Sequence, residues 1–444
     1  MNPRPVTAAV ALLAATSTLA TEPLALTEAM ATARQQAREV TAARSRQAAA
    51  DERANQARGF RMPSVRLEEN WIRTNSPAEV FALTLNQERF SLGDLMVGDP
   101  NDPDPLNTAI TRLEISMPVY TGGEIRGRVR QAELAAESAS SASEWAGNQA
   151  AYEAAAAYVM LSQAEEYVRL LTQARETVAA HVALARAYEE QGMLVKSELL
   201  RAEVELARMD DLVVEARGRA KVAQANLAFR LGEEQGSERS LAPLPDPGPI
   251  PEGLEGWLTS AAQRRDLSAA RSLLRAGELE DQVRRAAFLP KVGVVARGDL
   301  VDDTLFGDHG GSWSVMAQAS INLFAGGSDQ AARAAARHEL AAGREDVQRF
   351  EQGVQLEVRQ AYEEAITARA RHETARRALT AAREAERIVR ERFATGVVKM
   401  IDLLDASTAR REAETRELVA RDEAHVALFR LAVKSGRAPE TVIP

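Results

Sequence analysis

The chain has 444 residues and a formal net charge of −9, and only 5% of its residues are aromatic. This length is enough for two or three ordinary domains, but so few aromatic side chains argue against large aromatic-rich cores. The acidic balance gives no support for nucleic acid as a partner. A sequence rich in alanine, glutamate, arginine and leucine is instead typical of long helices and coiled coils.

The first 20 residues have the pattern of a secretory signal peptide. Arg4 precedes an uncharged run from 5 to 20, and Thr18 and Ala20 supply the small residues of a cleavage site. This run is too short for a transmembrane helix, and no other stretch is sufficiently apolar. The chain contains no cysteine, so neither a disulfide nor a lipid on cysteine is expected. We therefore predict an exported protein that only β-strands would hold in a membrane.

A helical pattern followed by a proline and two strands occurs twice. The first helix is predicted over 27–61 with Thr27 as its N-cap, and Pro63 follows it. The second is predicted over about 258–289, and Pro290 follows it. The strands are predicted at about 64–74 and 110–121 in the first copy, and at about 291–301 and 312–324 in the second.

The predicted strands alternate between apolar and polar residues. The apolar set comprises Val65, Leu67, Trp71, Leu113, Ile115, Met117, Val292, Val294, Trp313, Val315, Ala317, Ile321 and Leu323. Such a period of two is typical of barrel strands with an apolar face outward and a polar face inward. A half-buried sheet of a soluble protein gives the same alternation, so the strands alone do not decide between the two.

Each pair of strands is followed by two glycines and then by a very long helix. The helices are predicted over 124–191 and 328–395, and return helices over 195–231 and 399–434. Gly192 and Gly396, which are 204 residues apart, stand at the turns between them. In the second long helix the seam positions alternate in steps of four and three, a coiled-coil period: Val354, Val358, Ala361, Ala365, Ala368, His372, Ala375, Leu379, Ala382, Glu386, Val389 and Phe393.

These patterns divide the chain into two tandem repeats. We predict a signal peptide over 1–20, a first repeat over 21–232, a linker rich in proline and glycine over 233–257, a second repeat over 258–436 and a tail over 437–444. The first repeat carries an additional loop near residues 75–110, rich in proline and aspartate. The predicted fold class is mainly α with a β portion in the membrane.

The chain lacks the sequence patterns of an enzyme or a metal site. Its five histidines never stand four residues apart, and no H-E-x-x-H or G-x-S-x-G motif occurs. The glycine pairs lack the G-K-[ST] ending of a phosphate-binding loop, so they are interpreted as turns. We therefore expect no catalytic residue, no cofactor and no metal.

Three segments carry a resemblance to a known family. They are GVVKMIDLLDA at 396–406, FLPKV at 288–292 before a strand, and LFAGG at 323–327 after one. Together with the twofold layout they resemble the TolC-like outer-membrane efflux proteins, over nearly the whole mature chain. The resemblance implies a homotrimer in the lipid of a Gram-negative outer membrane. Each chain would give four strands to a twelve-stranded barrel, and the helices would form a periplasmic tunnel.

The resemblance also implies partners and site residues. The partners are a periplasmic adaptor protein and an inner-membrane transporter of RND, ABC or MFS type. Asp402 and Asp405 match paired aspartates that narrow the pore of the family, and Glu198 holds the corresponding position of the first tip. Phe393 and Val398 occupy gate positions of the second tip. The turns that an adaptor grips correspond to Gly192, Met193, Leu194, Gly396, Val397 and Val398.

Two functional interpretations follow from these observations. The first is a passive export duct of a tripartite efflux or type I secretion system. The second is a periplasmic structural coiled coil with a small soluble sheet and no pore. The repeat and the alternating strands favour the duct, and so do Trp71 and Trp313, which lie near the loop ends, where an aromatic girdle would sit. The cargo stays open among drugs, metal ions and polypeptides, because the pump selects it.

Overall fold

A computed structural model describes residues 23–93, 99–234, 236–237 and 239–443. The predicted signal peptide lies outside these residues. The helices are α1 (Leu26–Gln36), α2 (Arg38–Gly59), α3 (Pro77–Asn86), α4 (Glu124–Glu190), α5 (Lys196–Leu231), α6 (Leu254–Ala261), α7 (Arg265–Glu278), α8 (Glu280–Arg285), α9 (Ser328–Ala394) and α10 (Met400–Lys434). The strands are β1 (Ser64–Thr74), β2 (Leu106–Tyr120), β3 (Lys291–Asp302) and β4 (Gly310–Ser320). Short 3-10 helices cover Ala286–Phe288 and Pro439–Val442.

The two halves of the chain repeat one architecture, as the sequence predicts. Both α4 and α9 have 67 residues, and the return helices α5 and α10 have 36 and 35. At 1.5 Å per residue each long helix spans roughly 100 Å. Both begin after a glycine in the left-handed conformation, Gly123 at φ 90° and Gly327 at φ 81°. Mainly helical hairpins therefore extend from one small sheet.

The helix that precedes each strand pair is broken, which the sequence analysis did not predict. The first break lies at Ala37, and Ala25 rather than Thr27 is the N-cap. Arg264 makes the corresponding break 227 residues later. A Cβ on Gly232 would lie 2.6 Å from the carbonyl oxygen of Gln36, and one on Gly436 would lie 2.9 Å from Arg264 Cγ. Each break therefore lies where the end of a return helix approaches the chain most closely.

The four strands form an antiparallel sheet in the order β1-β2-β3-β4. β2 begins at Leu106, before the predicted start at residue 110, and β4 ends at Ser320, before the predicted end at residue 324. The last pair of β3 and β4 joins Lys291 to Ser320. Pairing ends there because the next position is Pro290, which has no N–H to donate. Ile321 and Leu323, predicted on the strand, thus lie beyond it.

The loop between β1 and β2 contains a helix that the sequence analysis missed. Ser76 is the N-cap of α3 and Pro77 its first residue, and Glu79 completes an S-x-x-E signal that was available in the sequence. After α3, the buried Gln87 donates from Nε2 to Thr108 Oγ1 at 2.9 Å. Arg89 pairs with Asp302 at 3.0 Å. These contacts fold the loop back onto the end of the sheet.

The largest buried cluster lies midway along the helices, where both hairpins, α1 and the linker meet. Tyr158 of α4 is fully buried and donates its hydroxyl hydrogen to the carbonyl oxygen of Ala242 at 2.7 Å, beside that of Leu24 at 2.8 Å. Leu24 and Leu241 form a parallel bridge. Burial of the phenol raises the pKa of Tyr158 to about 12. The linker is therefore fastened to the helices at this level.

The coiled-coil seam predicted for α9 is confirmed. Nine of its positions are buried, namely Val354, Val358, Ala361, Ala365, Ala368, His372, Leu379, Glu386 and Phe393. Ala375, Ala382 and Val389 are half-buried. His372, one of the seam positions, meets Glu417 of α10 at 3.1 Å and so contacts the facing helix. Within the residues described, none of the helices has the length and apolar composition needed to cross a membrane.

Candidate functional site: the helical tips and the sheet

The turns at the two tips have the same backbone geometry. Gly192 and Gly396 adopt φ values of 71° and 73°, in the left-handed region that favours glycine. The N–H of Met193 donates to the carbonyl of Tyr188 at 2.8 Å, and that of Val397 to the carbonyl of Arg392 at 3.0 Å. This six-to-one hydrogen bond is the Schellman arrangement, which ends a helix with glycine. The sequence and the backbone therefore specify both turns.

Of the two residues that follow each glycine, the first is exposed to solvent and the second packs against the protein. Met193 and Val397 are 62% and 71% exposed. Leu194 and Val398 pack against a buried cluster instead. The first tip also exposes Val195, at 63%. Each tip therefore presents largely exposed apolar side chains beside a glycine turn. Exposed apolar side chains on a fixed backbone are well suited to contact a partner protein.

The two tips of one chain pack directly against each other. One buried cluster unites Val182, Ala185, Leu199 and Ala202 of the first hairpin with Phe393, Met400 and Leu403 of the second. Phe393 is 9% exposed, and its ring centroid lies 6.5 Å from that of Tyr188. The predicted gate position is therefore an apolar contact between hairpins.

The three predicted pore acids lie in or just after the first turns of the return helices. Asp402 and Asp405 are exposed, and Glu198 is half-buried. Glu198 and Asp402 are both the third residue of their helix, 204 residues apart. Asp402 Oδ2 accepts the backbone N–H of Lys399 at 2.9 Å. This carboxylate therefore also caps α10, where an acid favours the helix dipole. Asp405 has no such bond among the described residues.

Charged contacts between the hairpins were not predicted. Arg411 of α10 reaches Glu205 of α5 at 3.3 Å, and Arg421 reaches Glu166 of α4 at 2.7 Å. Within the second hairpin, the buried Glu386 contacts Arg410 at 2.7 Å. In the sequence these residues are ordinary charges on helix faces, because nothing local indicates which helix lies opposite.

One face of the sheet is mainly apolar across all four strands, and the hydrogen-bonded pair of Glu69 and Thr111 interrupts it between β1 and β2. The pairing register places on it Val65, Leu67, Trp71, Leu113, Ile115, Met117, Val294, Ala296, Trp313, Val315 and Ala317. The larger of these side chains on β1, β2 and β4 are exposed. An exposed apolar surface of this kind marks contact with a protein or a membrane.

The opposite face of the sheet carries its ion pairs and most of its polar residues, with a few apolar residues among them. Arg112 meets its cross-strand neighbour Asp299 at 2.8 Å, and Arg297 meets Glu114 at 2.7 Å. Cross-strand pairs of opposite charge stabilise a sheet and fix its register. The sheet therefore has one face suited to an apolar environment and one suited to water. Among the described residues, no group of acids and histidines is arranged to hold a metal ion.

Comparisons with known proteins agree with this architecture. The sequence model of a family described as "Outer membrane efflux protein" matches residues 29–233 and 259–437. No curated protein sequence matches the chain.

Three solved structures illustrate the likeness in fold. The chain superimposes on CusC with a TM-score of 0.78 at 16% identity, covering 93% of this chain and 92% of that one. It superimposes on VceC from Vibrio cholerae with a TM-score of 0.75 at 17% identity, covering 93% and 96%. For the open state of the MtrE channel of Neisseria gonorrhoeae the TM-score is 0.76 at 19% identity, covering 93% and 89%.

At these identities the solved structures show a shared fold, while the family match extends over most of the chain. The family consists of outer membrane transport proteins rather than enzymes. The chain belongs to the outer membrane efflux protein family, and it is an efflux channel of the outer membrane.

Proposed function

We propose that three copies of this chain form a passive export duct of a tripartite efflux or type I secretion system. Their sheets would join into one twelve-stranded barrel, and their helical hairpins would form a tunnel across the periplasm. A periplasmic adaptor and an inner-membrane transporter of RND, ABC or MFS type would deliver cargo to the tips. The observation that carries this proposal is the sheet with one apolar and one ion-paired face.

The sheet supports assembly from several copies. β1 and β4 each pair on one side only, so the described sheet has two open edges. An open strand edge at membrane depth leaves backbone N–H and C=O groups without partners, which lipid does not tolerate. Four strands are too few to close a barrel, because single-chain outer-membrane barrels have at least eight. Pairing β4 of one copy with β1 of the next satisfies both edges.

The helical tips support the proposed pore and docking sites. Asp402, Asp405 and Glu198 would gather around the threefold axis, where a ring of acids attracts cations and repels anions. The six turn residues Gly192, Met193, Leu194, Gly396, Val397 and Val398 would contact the adaptor. The rigid turns and the exposure of Met193 and Val397 support this role.

Assembly and conduction are tested on the protein purified from outer membranes in mild detergent. Crosslinking and light scattering should give three chains, and planar bilayers should show channels with cation preference. A cysteine pair placed on the facing edges of β1 and β4 should link neighbouring chains, since the native sequence has no cysteine. Recovery of a soluble periplasmic monomer without conductance would contradict the proposal and favour a structural coiled coil.

A further inference from the structure

A groove of about 910 Å³ lies where all four long helices approach one another. Its walls come from α4, α5, α9 and α10, and none of the described linker residues lines it. The linker instead lines a separate depression with Glu165 and Arg421. The groove thus opens on the side of the helices away from the linker. In the proposed duct this side faces the conduit.

The floor of the groove is apolar. It is formed by Ala156, Ala157, Val159, Met160, Val426 and Ala427. Met160 is exposed there, so its side chain is available to a ligand. Methionine adapts to apolar bodies of different shape because its side chain is flexible and polarisable.

The charges of the groove are not balanced. Its three arginines are each paired with a glutamate of the groove: Arg230 with Glu153, Arg430 with Glu364 at 2.9 Å, and Arg371 with Glu423 at 3.0 Å. Two further acids line the groove, Glu363 and Asp422. Glu363 is exposed and forms no ion pair among the described residues. The lining therefore carries more negative than positive charge.

Asp422 is 2% exposed, and its Oδ2 atom has no hydrogen-bond partner among the described residues. Its Oδ1 atom accepts from Arg421 Nε at 3.1 Å. Arg421 also donates from one of its terminal nitrogens to Glu166 at 2.7 Å, and Glu166 pairs in addition with Arg169 at 3.1 Å. Arg421 is thus the only ion-pair partner of Asp422 among the described residues, and the second carboxylate oxygen stays without a partner at the wall of the groove. A buried charge acts strongly on its surroundings because little water screens it.

We propose that this groove binds organic monocations with an apolar body, such as lipophilic ammonium or phosphonium ions. The apolar part would lie on the floor, and the positive charge would lie between Glu363 and Asp422. This inference rests on the proposed function, to which it adds a binding site within the duct for one class of molecule. Neither an anion of the same shape nor a neutral hydrocarbon has this complementarity.

The site should respond to pH. Burial raises the pKa of Asp422 to about 6, Arg421 opposes this shift, and Glu166 and Glu417 add to it. The other charged groups facing the groove are the three arginine–glutamate pairs and Glu363. Below pH 6 the Asp422 carboxyl becomes neutral, so cation binding should weaken as pH falls from 7.5 to 5.

Equilibrium dialysis of the detergent-solubilised protein against tetraphenylphosphonium, with the isosteric anion tetraphenylborate as comparison, tests this inference. The wild type should bind the cation more tightly than the anion at pH 7.5. Asp422→Asn and Glu363→Gln should each weaken cation binding about fivefold. Glu373→Gln should leave it unchanged, because Glu373 lies on α9 but lines a depression beside Pro249 on the linker side.

Equal binding of both ions, or unchanged cation affinity in both groove variants, would overturn the assignment. Asp422→Asn conserves volume, and Glu363 is exposed, so at least one variant should fold normally; thermal unfolding checks this. The groove lies within one chain, so binding is measurable whether or not trimers form. A conducting trimer without cation binding refutes the groove alone, whereas cation binding by a monomer without conductance refutes the duct alone.

Discussion

The ring of Phe393, on the second hairpin, lies 6.5 Å from the ring of Tyr188 on the first, at an angle of 34° between the two planes. This contact joins the two tips of one chain just above their turns. It belongs to a cluster that also buries Met400 and Leu403. The relative position of the tips in a single chain thus depends on apolar packing.

Phe393→Ala should loosen the tips, because removal of a buried phenylalanine costs up to about 3–5 kcal/mol. Hydrogen exchange should become faster at Met193 and Val397, while the sheet amides stay protected. Phe229→Ala serves as the control, because Phe229 is 57% exposed. Unchanged exchange at both tips would show that this contact does not hold them together.

Gly396→Ala and Gly353→Ala should change stability in opposite directions. At both positions an added Cβ would have no atom within 4 Å, so a steric clash with neighbours does not distinguish the two substitutions. Gly396 has a φ of 73°, where alanine is strained by about 1 kcal/mol. Gly353 lies inside α9, where alanine should stabilise by about 0.5–1 kcal/mol. Urea unfolding measures both, and a change of the same sign would contradict the turn argument.

Gly192 and Gly396 also give a functional prediction. Replacing either by valine strains the turn and adds bulk at the proposed adaptor site, so export should fail while trimers still assemble. Export is measured as drug resistance in cells that carry the matching pump and adaptor. Normal export by both variants would show that the tips do not form the docking site.

Asp402 and Asp405 should both contribute to cation selectivity, but only Asp402 should also stabilise the start of α10. Alanine at either position should reduce cation selectivity in planar bilayers, and the double variant should lose block by multivalent cations. Only Asp402→Ala should also loosen the start of α10, by about 1 kcal/mol, because only Asp402 accepts the N–H of Lys399. Hydrogen exchange in that turn separates the two effects. Unchanged selectivity in the double variant would place the constriction elsewhere.

The two sides of the sheet should respond differently to a positive charge. Ala317→Arg places a cation on the apolar face, which costs about 2–4 kcal/mol near the middle of a bilayer. Gln318→Arg places it on the ion-paired face and should be tolerated. Heat-resistant trimers in outer-membrane fractions measure insertion. Equal damage from both substitutions would mean that the faces are assigned incorrectly.

His425 makes stability depend on pH. Burial lowers its pKa to about 4, from an ordinary value of 6.5, so protonation favours the unfolded chain as pH falls below 6.5. The free energy of unfolding falls by about 3 kcal/mol near pH 4 through this group. Asp422 has the opposite effect on stability. Its pKa is raised in the folded chain, so its ionisation destabilises the fold as pH rises through 6. Thermal unfolding of His425→Asn should therefore show less acid destabilisation than the wild type, and an identical pH profile would contradict this.

Much of the fold follows from local sequence patterns. Glycine at φ values near 70° ends both long helices, the 3.5-residue period predicts the seam of α9, and alternation predicts the faces of the strands. These features are readable because each depends on neighbouring residues along one element. For the same reason, the helix ends at both tips are predicted from the sequence to within one residue.

Only the tertiary structure decided the contacts between distant segments. The breaks at Ala37 and Arg264 carry neither proline nor glycine, and they lie where the ends of the return helices pack against the chain. The contact of Phe393 with Tyr188 and the sharing of Arg421 between Glu166 and Asp422 join residues far apart in the chain. A helical sequence specifies which of its faces is apolar. The packing of the helices determines which partner covers that face. It also determines which carboxylate is buried away from water.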